Sequence, residues 1–152
     1  MADVFDPGKR SQVMAGIRGK NTRPEVLVRS LLHRAGYRFR IHSTAVPGHP
    51  DVWLPKYRAA VFVHGCFWHR HDCHLFKWPA NNAEFWRTKI ERNVVVDQRH
   101  LKALAALDVR VLVVWECAIK GKTRMDPLAL AQAITTWVES GPALASIEGL
   151  RK

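Results

Sequence analysis

Apolar positions along the chain first fall into a helical rhythm at Val26, Leu27, Leu31 and Leu32. Spacings of three and four residues bring such side chains onto one face of a helix with 3.6 residues per turn. Thr22-x-x-Glu25 has the pattern of a capping box, Pro24 falls in the first turn where a missing N–H does no harm, and Gly36 supplies the stop. Three strand-like runs follow at residues 37–41, 51–54 and 59–64, with Pro55-Lys56-Tyr57-Arg58 turning between the last two. Residues 65–80 are dense in His, Cys and aromatic side chains without any period, which reads as a structured loop. A long helical stretch covers about 82–107, and residues 109–116 form an almost unbroken apolar run, as a strand buried on both faces does. A last helix is expected over about 127–139. The alternation predicts one α/β domain: a mixed sheet flanked by helices. Residues 22–140 form that domain, 1–21 a flexible basic arm with one short helix near 12–17, and 141–152 a loose tail.

Composition narrows the class. A chain of 152 residues with 47% hydrophobic content suits a single packed core. No apolar run approaches the roughly 20 residues that cross a bilayer, and the N-terminal residues lack the apolar segment of a signal peptide, so a cytoplasmic protein with no membrane partner is expected. Three cysteines, an odd number, argue against a disulfide framework. Lys and Arg total 24 against 13 Asp and Glu, a formal net charge of +11. Such an excess suits a polyanionic partner, because each phosphate neutralised releases condensed counterions. A basic protein without a nucleic-acid role is the plainer alternative.

Three constellations carry possible chemistry. Cys66-x4-His71-x-Cys73, joined by the distant Cys117, supplies the Cys3His set that holds structural zinc. Buried inert cysteines beside a chance histidine would give the same spacing, and His64, His69 and His74 compete as ligands. The second is Pro50-Asp51 followed by Val61-Phe62-Val63-His64. Metal-dependent phosphodiester cleavage needs a carboxylate for Mg²⁺ and a group that deprotonates water. Asp51 suits the first task and His64 or His69 the second; Glu25 is the other early carboxylate near a core element. The third is aromatic: Phe67-Trp68 in the loop and Phe85-Trp86 at the start of the long helix, where core packing and base contact both remain open. Trp53 and Trp115, on strands, read as core.

Gly65-Cys66-Phe67-Trp68-His69, taken with Pro50-Asp51, Val114-Trp115-Glu116-Cys117 and Glu84-Phe85-Trp86-x-x-Lys89-Ile90-x-x-Asn93, resembles the very-short-patch-repair (Vsr) family of DNA mismatch endonucleases from about Arg10 to Lys120. The resemblance implies a restriction-endonuclease-like core with a structural zinc, and nicking of one strand beside the thymine of a T·G mismatch. It implies that Asp51 binds Mg²⁺ with the Val63 carbonyl, that His69 is the general base supported by Glu25 and His64, and that Asp97 backs it. It further implies zinc at Cys66, His71, Cys73 and Cys117. Phe67, Trp68 and Trp86 would enter the duplex, and Met14 on the arm would grip the other groove. A monomer acting on double-stranded DNA is expected. Phe62-Val63-His64 lacks the acidic-x-Lys pair of the wider nuclease superfamily, and Val63 replaces a threonine of the best-known family member. A restriction-like nuclease of another specificity and a zinc-bearing DNA-binding module without cleavage are the alternatives.

Overall fold

The computed structural model describes residues 22–150. Helix α1 (Arg23–Arg34) opens as its sequence predicts: the Thr22 side chain accepts from the Glu25 N–H, and the Glu25 carboxylate accepts from the Thr22 N–H. Its buried line is Glu25, Val28 and Leu32, whereas Val26, expected in the apolar stripe, is 49% exposed. The helix is rolled so that a carboxylate, and not Val26, faces the sheet.

Strand β1 (Val52–Leu54) runs antiparallel to β2 (Ala59–His64) through a short 3-10 turn at Pro55–Tyr57, closed by left-handed Arg58 at φ 46°. Helix α2 (Ala83–Ala106) crosses over to β3 (Arg110–Trp115), which lies parallel to β2. Helix α3 (Pro127–Ser140), capped by the Asp126 carboxylate, leads to β4 (Leu144–Ile147), parallel to β3. The four strands are ordered β1-β2-β3-β4. Alternate strand residues face opposite layers. Val52, Leu54, Val61, Leu112 and Val114 pack with Val28 and Leu32 of α1 and Leu130, Ile134 and Trp137 of α3. Trp53, Phe62, Val111 and Val113 pack with Leu104 of α2 on the other side. The expected helix–sheet–helix α/β domain is therefore present, and no helix among the described residues is long and apolar enough to cross a membrane.

Two segments differ from their reading. Residues 37–41 do not form a strand; they make one bridge, Arg40 to Trp53, with two 2.8 Å backbone bonds. His42, left-handed at φ 48°, turns the chain away directly afterwards. The segment from Gly141, expected to be loose, supplies the edge strand β4. Arg110 fixes its approach: its guanidinium donates to the carbonyls of Trp137, Val138 and Tyr57 at 2.8–3.1 Å and lies over the Trp137 ring. A cation placed there suits the negative C-terminal end of the α3 dipole.

Candidate active site and metal cluster

Because β2 and β3 are parallel, their C-terminal ends open together, and the loops leaving them carry the histidines and cysteines. A cleft of about 900 Å3 at this end is lined by Glu25, Asp51, His64, Trp68, His69 and Asp97, among others. Antiparallel pairing of β1 with β2 brings Asp51, just ahead of β1, beside Val63, whose N–H donates to its carboxylate at 2.6 Å. Burial dominates the Asp51 environment and, with the Glu25 carboxylate nearby, pushes its carboxyl well above the usual range. Glu25 is itself buried and held by Arg29 at 3.3 Å. A ligand atom each of Glu25, His42 and Asp51 lies within 4.8 Å of the others. Two carboxylates kept close in a buried place repel unless a proton or a cation joins them, and hard oxygen donors suit a divalent cation such as Mg²⁺. The residues fit that ion.

His64, His69 and Asp97 form a second group, again with ligand atoms within 4.8 Å. The His64 and His69 rings stack in parallel with centroids 3.8 Å apart. Burial pushes His64 down to about 3, helped by neighbouring His69, so it is neutral at ordinary pH. Asp97, on α2, contacts His69 Nδ1 at 2.5 Å. An ionised carboxylate only accepts, so this contact places the ring proton on Nδ1 and leaves the Nε2 lone pair free to take a proton. One turn earlier on α2, the Asn93 amide donates to the Trp68 carbonyl at 2.9 Å. The same helix thus orients the histidine and the neighbouring aromatic.

Trp68 packs edge-on with Phe67 at 5.2 Å and against Trp86 at 5.7 Å; Phe67 meets Trp86 at 5.5 Å. All three are only partly buried. Phe85, for which core packing was one alternative, is 60% exposed and is not a core residue. Met14 lies outside the described residues, as does the short helix expected near 12–17.

Cys66, His71, Cys73 and Cys117 converge with one ligand atom each within 4.8 Å. Backbone N–H groups of Cys117, Leu75 and Gly149 donate to the sulfurs of Cys66, Cys73 and Cys117 at 3.2–3.4 Å. Burial pushes the Cys66 and Cys117 thiols up, a cost that a cation shared by all three sulfurs would offset. Four N and S donors, with N–H groups already aimed at the sulfurs, fit a closed structural metal site. None of the competing histidines is in this four-ligand group, although His74 lines the same pocket as His71, Cys73 and Cys117. His64 and His69 belong to the Asp97 group, and His74 keeps both ring nitrogens buried without a hydrogen-bond partner. His71 instead turns its other nitrogen to Glu148, 3.1 Å away on the segment after β4.

Sequence reasoning missed how the two clusters are joined. Trp115, read as a core residue, stacks on His71 at 4.2 Å and presents its edge to His64 and His69 at 5.2 and 6.4 Å. It also missed His42 and Arg29, which surround Glu25: Arg29 reaches His42 Nε2 at 3.1 Å. Neither lies in a recognisable motif, and their meeting depends on the left-handed turn at His42.

The sequence model of the family described as "DNA mismatch endonuclease Vsr" matches residues 2–75. The chain is 43% identical over 148 residues to the DNA mismatch endonuclease Vsr of Escherichia coli (strain K12), covering 97% of this chain and 95% of that protein. The chain belongs to the Vsr family. Proteins named as type II nicking enzymes are also similar. The type II nicking enzyme V.XorIIP of Xanthomonas oryzae pv. oryzae is 50% identical over 119 residues, covering 78% of this chain and 88% of its own. V.NmeAIP of Neisseria meningitidis serogroup A is 43% identical over 122 residues, covering 80% and 87%. Membership in Vsr makes the protein an endonuclease, a hydrolase of DNA.

Proposed function

We propose that the protein nicks one strand of duplex DNA beside the thymine of a T·G mismatch, the product of 5-methylcytosine deamination, using Mg²⁺-activated water. The observation that carries this reading is that one cleft is lined by the Asp51 carboxylate, the His69–Asp97 pair and the partly exposed Phe67 and Trp68, against which Trp86 packs. Asp51 and the Val63 carbonyl would hold Mg²⁺, with Glu25 at its side. Mg²⁺ bound there would supply charge stabilisation at the phosphate and would lower the pKa of a bound water. His69 takes the water proton at Nε2, Asp97 stabilises the imidazolium that forms, and neutral His64 stacks on the ring and limits its rotation. The new phosphorus–oxygen bond forms as the bond to the departing sugar oxygen breaks, and that oxygen, leaving with the bonding pair, takes a proton from solvent water. A single cut needs one active site, so a monomer is sufficient. The Cys66–His71–Cys73–Cys117 cluster would hold structural zinc and fix the loop that carries Phe67, Trp68 and His69.

Similarity to type II nicking enzymes supports cleavage of one strand, and membership in a family of DNA mismatch endonucleases supports the mismatch itself. The test is a strand-resolved nicking assay on T·G and T·A duplexes, with and without Mg²⁺. Nicking of the T-bearing strand only in the mismatch, and only with Mg²⁺, is expected. Equal cutting of the two duplexes would instead indicate a nuclease of another specificity, and binding without any cutting a DNA-binding module.

A further inference from the structure

Beyond the cleft, the aromatic cluster continues outward. Phe67 meets Phe76 at 6.1 Å, and Phe76 meets Trp78 edge-on at 5.0 Å. Two guanidiniums lie over the Trp78 ring, Arg87 at 4.9 Å and Arg70 at 5.7 Å from its centroid. Both arginines are exposed. They come from different elements, Arg87 from α2 and Arg70 from the loop between His69 and His71. Arg70 has a left-handed backbone, φ 54°, an uncommon conformation for a residue with a β-carbon. The loop on either side is tied down, by the His69–Asp97 contact and by the cysteine cluster at His71. The side chain is therefore aimed by its surroundings.

Two cations gathered on one indole repel each other, and among the described residues no carboxylate pairs with either of them. Each ring contact offsets part of that repulsion and holds a planar guanidinium with its N–H donors free at the edge. Phosphate oxygens are the ligand that this donor fork matches best. We infer that Trp78, Arg70 and Arg87 form a phosphate platform that grips the DNA backbone at the rim of the cleft, two ring contacts from Phe67. The platform rests on DNA being the substrate and is independent of the mismatch. It adds affinity and register without reading bases.

The test uses the full-length protein and a fluorescein-labelled, fully paired 20-base-pair duplex without Mg²⁺, with Kd measured across a salt series. The double variant Arg70→Gln/Arg87→Gln should bind more weakly, with the slope of log affinity against log salt shallower by about 1.8, since each phosphate contact contributes roughly 0.9. Trp78→Ala, which keeps both charges and removes their support, should weaken binding several-fold, and Trp78→Phe should restore most of it. A double variant with the wild-type slope would overturn the platform. So would weakened binding by the double variant alongside wild-type binding by a folded Trp78→Ala. Should the alanine variant melt early, Arg87→Lys carries the same comparison, because it keeps the charge and loses the planar fork. Its expected loss of affinity supports the platform, and wild-type affinity overturns it. Absence of duplex binding by the wild-type protein would contradict the DNA reading itself, a result separate from all of these.

Discussion

Replacing Asp97 by Asn removes one negative charge from the His69 contact and leaves its shape almost unchanged. In the native arrangement the carboxylate, its Oδ2 2.5 Å from Nδ1, holds the Nδ1 proton and faces a ring that becomes positive as it takes the water proton. Two unit charges about 4 Å apart attract by about 4 kcal/mol at an effective dielectric constant near 20. The two side chains are 24% and 19% exposed, so solvent screens part of that, and about 1.5–3 kcal/mol is a fair share. That corresponds to roughly 10- to 150-fold in rate. An amide that donates to Nδ1 would also move the ring proton to Nε2 and remove the base, extending the loss toward the 10³–10⁴-fold upper range of general-base catalysis. Single-turnover nicking of a T·G duplex should therefore fall about 100-fold, with KM and duplex affinity near wild type, because binding rests on phosphate and base contacts elsewhere. The melting temperature should change little, since a partly exposed ion pair contributes about 1 kcal/mol at most. A folded Asp97→Asn protein that nicks within twofold of wild type would refute the assignment of His69 as an Asp97-oriented base.

Elemental analysis should find one zinc per chain, and Cys117→Ser should lose it and melt roughly 6–12 °C lower, as a loss of about 3 kcal/mol implies for a domain of this size; a metal-free wild-type protein of full stability would contradict the cluster's role. Trp68→Ala should bind a T·G duplex roughly tenfold to a hundredfold more weakly, the equivalent of about 1–3 kcal/mol of lost base stacking, while affinity for paired DNA and its salt slope hold; an unchanged T·G preference in the folded variant would exclude Trp68 as the inserting residue. The Tyr37 hydroxyl donates to Glu139 at 2.6 Å, which holds the Glu139 carboxyl below its ordinary 4.5 and pushes the Tyr37 phenol up to about 12. A lowered acid stabilises above its unfolded value and a raised phenol below its own. Tyr37→Phe should accordingly melt below wild type at neutral pH, with the deficit shrinking as pH falls below 4.5 and again as it rises from 10 toward 12. A deficit independent of pH across both windows would assign the effect to packing alone.

Legibility in the sequence followed locality. The capping box at Thr22 and Glu25, the length of α2 and the apolar run of β3 are written in neighbouring residues, and the structure places those elements within a residue or two of where the pattern puts them. The cysteine and histidine set was equally visible because it uses every cysteine in the chain. Strand β4 was not visible. Only Ala145 and Ile147 pack inward, Leu144 and Ser146 face solvent, and the strand forms where Arg110 ties the end of α3 to neighbouring backbone. The run at 37–41 fails for the opposite reason: its apolar alternation is satisfied by Tyr37 and Phe39 packing on the core, without a partner beyond the single bridge. In the site, spacing brought forward Asp51, His64 and His69; Arg29 follows Glu25 by one helical turn, but the approach of His42 and Asp51 to that pair arises only from three-dimensional folding. Trp115 shows a further limit, since a large aromatic on a buried strand gives no sign of stacking on a histidine of the Cys/His cluster.

The central claim is that the cleft around Asp51 breaks the phosphodiester bond, and Asp51→Asn addresses it most directly. The substitution keeps the side-chain shape and the neighbouring Val63 N–H while removing the charge that would hold Mg²⁺. Nicking of a T·G duplex in Mg²⁺ by wild type and variant, measured beside duplex affinity and a melting curve, gives the decisive comparison. The account predicts loss of nicking by 10³-fold or more, with affinity within a few-fold of wild type and no loss of thermal stability, because a carboxylate at a costly buried position has been neutralised. A folded Asp51→Asn protein that nicks at close to the wild-type rate would contradict it.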